Sequence, residues 1–399
     1  MKRRFGQQAI WTIFFTLVRP FVRLFIGYRY HREKRIHGPA ILMCNHNLDI
    51  DVGLLGLSYA QSMRVVASEH VFRMGFLTFL IRLIFAPIVR MKGKTETRTV
   101  RQILNVLKSG GRVCIFPEGN RSFSGLTGEI TKASASLARM AKCLLITYRI
   151  EGGYLKHPRW AVKGRRGRVS GREVGRYSAE QLQRMSAGEV LDVIRRDLFE
   201  DAYACQKENP SAYTGKLLAE HIETALYLCP DCRRISAIRS RNDRFFCACG
   251  LCMRYTETGM LQSVGESGAR FATVTDWDLW QQSMTAELVG RANGGVIAQD
   301  KSVSLYRVTP CEKDELIETG TLSISKSTLA CGSFMFALDE LSDLAIVGPN
   351  TLVFETQSGS YYEIRSKSAY NALKYRRFYH YCKKTAKGEY DAGHSAVQP

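Results

Sequence analysis

The sequence predicts an α/β domain, preceded by an apolar, basic N-terminal segment and followed by a cysteine-bearing module and a smaller β-rich region. Three observations carry this. Apolar β runs at 40–44, 62–67, 86–91, 111–116 and 143–150 alternate with helical patterns at about 50–60, 70–84, 95–108 and 128–141, the rhythm of βαβ units. Five of the twelve cysteines fall within the 24 residues from Cys229 to Cys252. From about Phe271 onward, short β runs follow one another without helical spacing until a helix near the C-terminus.

A chain of 399 residues accommodates two or three domains with a sizeable core. It carries 57 Lys and Arg against 37 Asp and Glu, a formal net charge of +20. A field of that sign favours anionic partners: nucleic acid, an acidic membrane surface, or phosphorylated substrates. The other seven cysteines are scattered in apolar runs, which speaks for a reducing compartment and one metal site, not a disulfide framework.

Residues 1–36 read as an interfacial membrane anchor. Nine Lys or Arg and one acid flank the apolar run from Ala9 to Val18, and aromatic and apolar residues continue from Phe21 to Tyr28. Ten apolar residues followed by Arg19-Pro20 are too few for a span, which needs about 20, and no small-residue cleavage site follows. Such a segment suits the surface of an anionic leaflet.

In the α/β region, residues 37–205, the run Ala40 to Cys44 reads as a buried strand that stops at Asn45-His46. A histidine at the carboxyl end of a strand is well placed for chemistry. A nearby carboxylate can hold its tautomer and support it as a base. Two acids compete for that place. Asp49 suits a regular helix, whereas a residue five positions on points about 140° away. Asp51 reaches His46 only if the chain turns between them.

Gly75 to Phe85 is too apolar for an ordinary surface helix and suits an interface or an acyl-lined groove. Arg90 ends an apolar strand, and with Met91 to Lys94 and a helix start near Thr95 it makes a phosphate site plausible on charge grounds. Next comes Phe116-Pro117-Glu118-Gly119-Asn120-Arg121-Ser122. Pro117 ends a ladder and Gly119 permits a tight turn, so a carboxylate, a guanidinium and a hydroxyl share one loop.

Residues 152–176 are Gly-rich, carry eight Lys or Arg against Glu173 alone, and read as a basic loop. Ser178…Gln181 and Ser186…Glu189 have capping-box spacing and predict two helix starts.

Residues 206–226 read as a linker. Residues 227–256 read as a zinc ribbon: Cys229 and Cys232, a fourteen-residue loop, then Cys247-Ala248-Cys249-Gly250. Cys252 competes with Cys247, but Cys249-Gly250 reads as the second knuckle, so the expected ligands of one structural zinc are Cys229, Cys232, Cys247 and Cys249. Residues 257–385 form the β-rich accessory region, pleckstrin-homology-like in outline, and 386–399 a disordered tail.

Taken together and in this order, His46-x-x-x-x-Asp51, Arg90 at a strand end and Phe116 to Ser122 resemble the glycerophospholipid acyltransferase superfamily, in particular the 1-acyl-sn-glycerol-3-phosphate acyltransferases. The resemblance covers about residues 30–200. It selects Asp51 over Asp49 as the partner of His46. It implies a general base, His46, supported by Asp51, with Arg90, Glu118, Gly119 and Arg121 binding substrate. It implies acyl transfer from acyl-CoA or acyl carrier protein to a lysophospholipid acceptor, giving phosphatidic acid, with no catalytic cofactor. It implies a monotopic or peripheral place at the cytoplasmic face of the cell membrane, on anionic lipids.

No G-x-S-x-G motif is present, which counts against a serine hydrolase. In one departure, the family's fourth motif carries a proline, whereas Cys143 to Ile150 has none, which leaves the acyl-chain preference open. Two other readings remain: the same fold acylating glycerol 3-phosphate, another lysophospholipid or an aminolipid, and a zinc-ribbon nucleic-acid-binding protein. Nucleic acid is the weaker partner, because that reading gives the His46 and Glu118 loops no role.

Overall fold

The computed structural model describes residues 2–73, 75–90, 97–265, 268–309 and 314–388. The tail expected at 386–399 and the basic turn at 91–94 lie largely or wholly outside them.

The first half runs α1 (Lys2–Phe21), β1 (Tyr28–Tyr30), β2 (Ala40–Cys44), α2 (Asp51–Ser58), β3 (Arg64–Ser68), α3 (Phe76–Phe85), β4 (Ile88–Arg90), α4 (Thr97–Lys108), β5 (Arg112–Ile115), α5 (Lys132–Met140), β6 (Leu144–Glu151), α6 (Gly153–Lys156), β7 (Val169–Tyr177), α7 (Ala179–Arg184), α8 (Ala187–Leu198) and α9 (Ala202–Glu208). Its seven strands form one sheet in the order β1-β7-β6-β2-β5-β3-β4. Strands β6, β2, β5, β3 and β4 are parallel, and β7 returns antiparallel to β6.

Strand β2 is buried at all five residues because it is central and covered on both faces. Its alternation divides the core. Ala40, Leu42 and Cys44 pack with α1 and α2, while Ile41 and Met43 pack with α4, α5 and α8. The connection leaving β2 runs to one side of the sheet, and the one leaving β5 crosses to the other. The crevice outside their carboxyl ends is therefore a topological switch point. Both expected capping boxes form, at Ser178 with Gln181 and at Ser186 with Glu189.

The N-terminal segment is longer than the ten apolar residues suggest. The helix continues through Pro20 into a π turn at Val22–Ile26. Gly6–Ile26 is thus long and apolar enough to cross a membrane by length and composition, with mean hydropathy 1.6. One side packs inward. Trp11 and Phe15 are buried, and Phe15 lies against Gly56 of α2 so closely that a Cβ there would overlap its ring. Burial of each such ring stabilises by roughly 1.5–3 kcal/mol. The other side exposes Ile13, Leu17, Phe21, Leu24 and Phe25, and α3 exposes Phe76, Phe79 and Leu83.

The basic loop expected at 152–176 instead contains α6 and the nine-residue strand β7. Gly167, Gly171 and Gly175 are spacers, since a Cβ on any of them would overlap a neighbouring side chain. A Cβ on Gly171 would overlap the Tyr28 hydroxyl and lie 2.6 Å from that of Tyr148, two groups that hydrogen-bond each other at 2.8 Å.

Residues 206–226, expected as a linker, begin inside α9, which runs to Glu208, and are then irregular but packed: Tyr213, Leu218, Ala219, Ile222, Ala225 and Leu226 are buried with α6 and α9. Next comes a four-stranded antiparallel sheet of β8 (Ile238–Arg241), β9 (Arg244–Cys247), β10 (Cys252–Tyr255) and β11 (Leu261–Ser263). Two helices not anticipated from the sequence follow, α10 (Val274–Ser283) and α11 (Thr285–Arg291). The Thr273 hydroxyl caps the first by accepting from the Asp276 amide.

The remaining strands, β12 (Ala298–Arg307), β13 (Glu315–Ile324), β14 (Thr328–Cys331), β15 (Phe334–Ala337), β16 (Leu341–Val347), β17 (Thr351–Thr356) and β18 (Tyr361–Ser366), form a seven-stranded antiparallel sheet. It is closed by α12 (Ala372–Ala386). Its core includes Tyr227, Leu228, Leu288 and Val289, and Phe123 of the first half packs against it. The C-terminal sheet and the α/β half are thus joined by shared packing.

The packing of β7 gives a direct test. Gly171→Ala should lower the thermal midpoint, at a cost of about 1–3 kcal/mol. Gly53→Ala in α2, where nothing lies within 4 Å of the added carbon, should leave it unchanged or raise it.

Candidate active site

The end of β2 and the start of α2 fold back on each other over six residues. Asp51 is the first residue of α2 and is fully buried. Its Oδ2 accepts from the backbone amides of Asn47 at 2.7 Å and Leu48 at 2.8 Å. The same oxygen lies 3.0 Å from His46 Nδ1. The ring therefore carries its proton on Nδ1 and donates to Asp51, which leaves Nε2 as an acceptor. The His46 side chain is 23% exposed and stacks on Phe116 with centroids 4.4 Å apart.

The loop after β5 meets this turn edge to edge. Glu118 Oε1 accepts from the His46 amide at 2.7 Å, Oε2 accepts from the Gly128 amide, and the Ser122 amide donates to the His46 carbonyl at 2.9 Å. Gly119 has φ +67°, and a Cβ there would lie 3.1 Å from an Arg90 guanidinium nitrogen. Glycine thus meets two needs at once: a left-handed turn and the approach of the arginine from the end of β4.

Arg121 donates to the Asn47 and His157 carbonyls and pairs with Asp49 at 2.8 Å, so the second acid of the motif belongs to Arg121 and not to His46. Glu118 and Arg121, expected to bind substrate, place these polar atoms on the β2–α2 turn, Gly128 and His157.

Two supports have no clear signal in the sequence. The Asn45 side chain accepts from the Ile150 amide at 2.7 Å and donates to its carbonyl at 2.8 Å, which adds a rung to the β2–β6 ladder. Glu200, buried beyond α8, accepts from the side chains of Asn45 and Asn47 and from the Gly152 amide. A lone acid after a helix carries no pattern. The asparagines flanking His46 were the available hint. Desolvation pushes the Glu118 and Glu200 carboxyls up to about 8, with hydrogen bonds opposing; repulsion from Glu200 and Asp51 adds at Glu118, and from Glu151 and Asp51 at Glu200.

A buried cation from another segment reaches the same loop. Arg159 donates to the Asn120 side chain and the Arg121 carbonyl, both at 3.2 Å, and to the Gly348 carbonyl of the C-terminal sheet at 2.8 Å.

Away from this site, the sulfurs of Cys229, Cys232, Cys247 and Cys249 lie within 4.8 Å of one another. Two pairs are 3.6 and 3.7 Å apart. Tetrahedral thiolates at about 2.3 Å from a metal would be about 3.8 Å apart, so the donor set fits a closed four-sulfur site. Arg234 donates to Cys232 Sγ at 3.5 Å, which favours a thiolate there. Cys252 is not part of the cluster.

Residues 27–151, which hold the His46–Asp51 pair, Arg90 and the Glu118 loop, match the Acyltransferase family. This chain carries an acyltransferase-family domain. The chloroplastic 1-acyl-sn-glycerol-3-phosphate acyltransferase of Arabidopsis thaliana is 27% identical over 101 residues, 25% of this chain and 28% of that protein. The chloroplastic enzyme of Brassica napus is 26% identical over 101 residues, 25% of this chain and 29% of its own length. The chain thus spans less than a third of the curated relatives it matches. Among solved structures, the 1-acyl-sn-glycerophosphate acyltransferase PlsC of Thermotoga maritima is similar at 20% identity and TM-score 0.37, covering 48% of this chain and 76% of that one. Glu200, Arg159 and the cysteine cluster all lie beyond the residues matched to the acyltransferase family.

The two raised carboxyls around the site set a pH dependence. A folded state that holds protons more tightly than the unfolded one loses stability as pH rises. Between the ordinary carboxyl range and about pH 8, Glu118 and Glu200 should each lower stability by at most about 1.4 kcal/mol per pH unit. Urea unfolding at pH 5, 6.5 and 8 should show a steeper loss for the native chain than for Glu200→Gln.

Proposed function

We propose that this chain transfers an acyl group from a thioester donor to the free hydroxyl of 1-acyl-sn-glycerol 3-phosphate, giving phosphatidic acid. The observation that carries the reading is the buried Asp51 held 3.0 Å from His46 Nδ1, with the Glu118–Gly119 loop and Arg90 at the same end of the sheet. His46 Nε2 takes the proton of the acceptor hydroxyl as its oxygen attacks the thioester carbonyl. The new C–O bond forms, the C–S bond breaks through a tetrahedral intermediate, and the leaving thiolate takes up the proton from His46. Asp51 stabilises the imidazolium between these steps.

Arg90, beside Gly119, is the proposed contact for the acceptor phosphate. Glu118 and Arg121 act by position, holding the loop against His46. The exposed apolar faces of α1 and α3 support docking on a membrane, where a lysophospholipid resides. The four-cysteine cluster supports one structural zinc that fastens the β8–β9 hairpin. The seven antiparallel strands closed by α12 support the pleckstrin-homology-like outline of the C-terminal region.

His46→Ala should reduce transfer to lysophosphatidic acid at least 100-fold, with acceptor binding retained, in detergent-solubilised protein supplied with an acyl thioester. Wild-type rates in that variant would remove the mechanism. Metal analysis should find about one zinc per chain, and Cys249→Ser should lower that content and the thermal midpoint together.

A further inference from the structure

The β8–β11 sheet has two unlike faces. Residues directly opposite in neighbouring strands share a face. Arg239 stands opposite Phe246, Arg241 opposite Arg244, and Arg244 opposite Arg254. All four arginines and Phe246 are exposed, whereas Ile238, Phe245, Met253, Tyr255 and Leu261 on the other face are buried. Among the described residues, Asp243 pairs with Arg254 at 2.8 Å, and no acid pairs with Arg239, Arg241 or Arg244.

This face is not explained by folding. Arg241 with Arg244 and Arg244 with Arg254 place like charges directly opposite, which destabilises a sheet by a few tenths of a kcal/mol or more per pair. Residues 227–256 contain six arginines and no lysine. Guanidinium groups grip carboxylates and phosphates through two parallel hydrogen bonds, which ammonium groups cannot do.

The buried face also fixes where the cationic one stands. Phe245, Met253, Tyr255 and Leu261 share a core with Tyr154 and Leu155 of α6. Gly153 of the same helix lies against the His46 turn, since a Cβ on it would be 2.9 Å from Asn47 Cβ and 3.3 Å from Leu48. One helical turn therefore lies between the buried face of this sheet and the loop that holds the proposed base, with the arginine face turned outward.

We propose that the Arg239, Arg241, Arg244 and Arg254 face docks a small acidic carrier protein that presents the acyl thioester to His46 on a flexible arm. The inference rests on the acyl-transfer reading and deepens it by assigning a docking surface to the carrier. The face carries a single exposed aromatic, too little for the stacked series that binds single-stranded nucleic acid. The broad apolar surfaces suited to lipid are on α1 and α3. An acidic protein meets the charge, and its flexible arm has the sheet and α6 to pass on the way to the site.

The test compares full-length wild type with Arg241→Glu/Arg244→Glu and with Arg241→Gln/Arg244→Gln, using acyl carrier protein and acyl-CoA of one chain length as donors. The expected result is a KM for the acylated carrier raised at least tenfold by charge reversal and less by the glutamine pair. Its kcat, the acyl-CoA kinetics, metal content and thermal midpoint should be unchanged. Binding of the unacylated carrier, followed by fluorescence anisotropy, should weaken in parallel and should weaken with salt in the wild type. The proposal is overturned if the carrier KM is unchanged, if both donors are impaired equally, or if wild type uses only acyl-CoA. It is also overturned if the variants lose affinity for anionic vesicles or single-stranded RNA while still holding the carrier. A wild type inactive with both donors would instead sink the acyl-transfer reading, and the anisotropy arm would still decide the docking face.

Discussion

The site depends on one buried carboxylate oxygen. Asp51 Oδ2 gathers the His46 ring nitrogen and two successive backbone amides at the start of α2. A carboxylate taken wholly out of water is costly unless such donors and a helix N-terminus surround it. Meeting that need makes the chain turn tightly between His46 and Asp51, and the turn aims the imidazole. Packing then holds the turn: Glu118 and Ser122 from the β5 loop, Arg121 across Asn47 and Asp49, Glu200 beneath the asparagines. Most of these partners bond backbone groups, so the loop's shape is fixed more firmly than any one side-chain contact requires.

The C-terminal sheet takes part in this support. Arg159 is buried between the Glu118 loop and the end of β16 and stacks on Phe123 at 4.1 Å. Burial, then the nearby Arg121, lowers its guanidinium to about 9, a sign of how tightly positive charge is packed there. On the other side of the crevice, His70 and Arg73, just after β3, both bond Glu363 of β18 at 2.9 Å, and Tyr361 donates to Glu69. Although burial opposes it, bonding to His70 and Arg365 brings Glu363 down to about 2. The acyltransferase domain is thus braced at two points on its open end by a region outside the family match.

Local rules made much of the frame legible. Alternating apolar runs located β2 to β6, and serine caps placed α7 and α8 because capping is a matter of three or four neighbouring residues. The same rules failed where a residue's reason lay far along the chain. Gly171 looks like loop glycine until Tyr28 and Tyr148 are brought against it, and Pro20 looks like a stop although the helix runs through it. Thr273 was a legible cap that the β-rich surroundings masked.

The candidate site divides in the same way. By itself the sequence determined which side chains were available, in what order, and that His46 follows a buried strand, since these are properties of short stretches. It left Asp49 and Asp51 equivalent on residue grounds, and only resemblance chose between them. The tertiary structure assigned Asp51 to His46 and Asp49 to Arg121, carried Arg90 to Gly119, and supplied Glu200 and Arg159 from beyond the motifs. These are long-range pairings, decided by which strands lie side by side in the sheet, and strand order is not written in any local pattern.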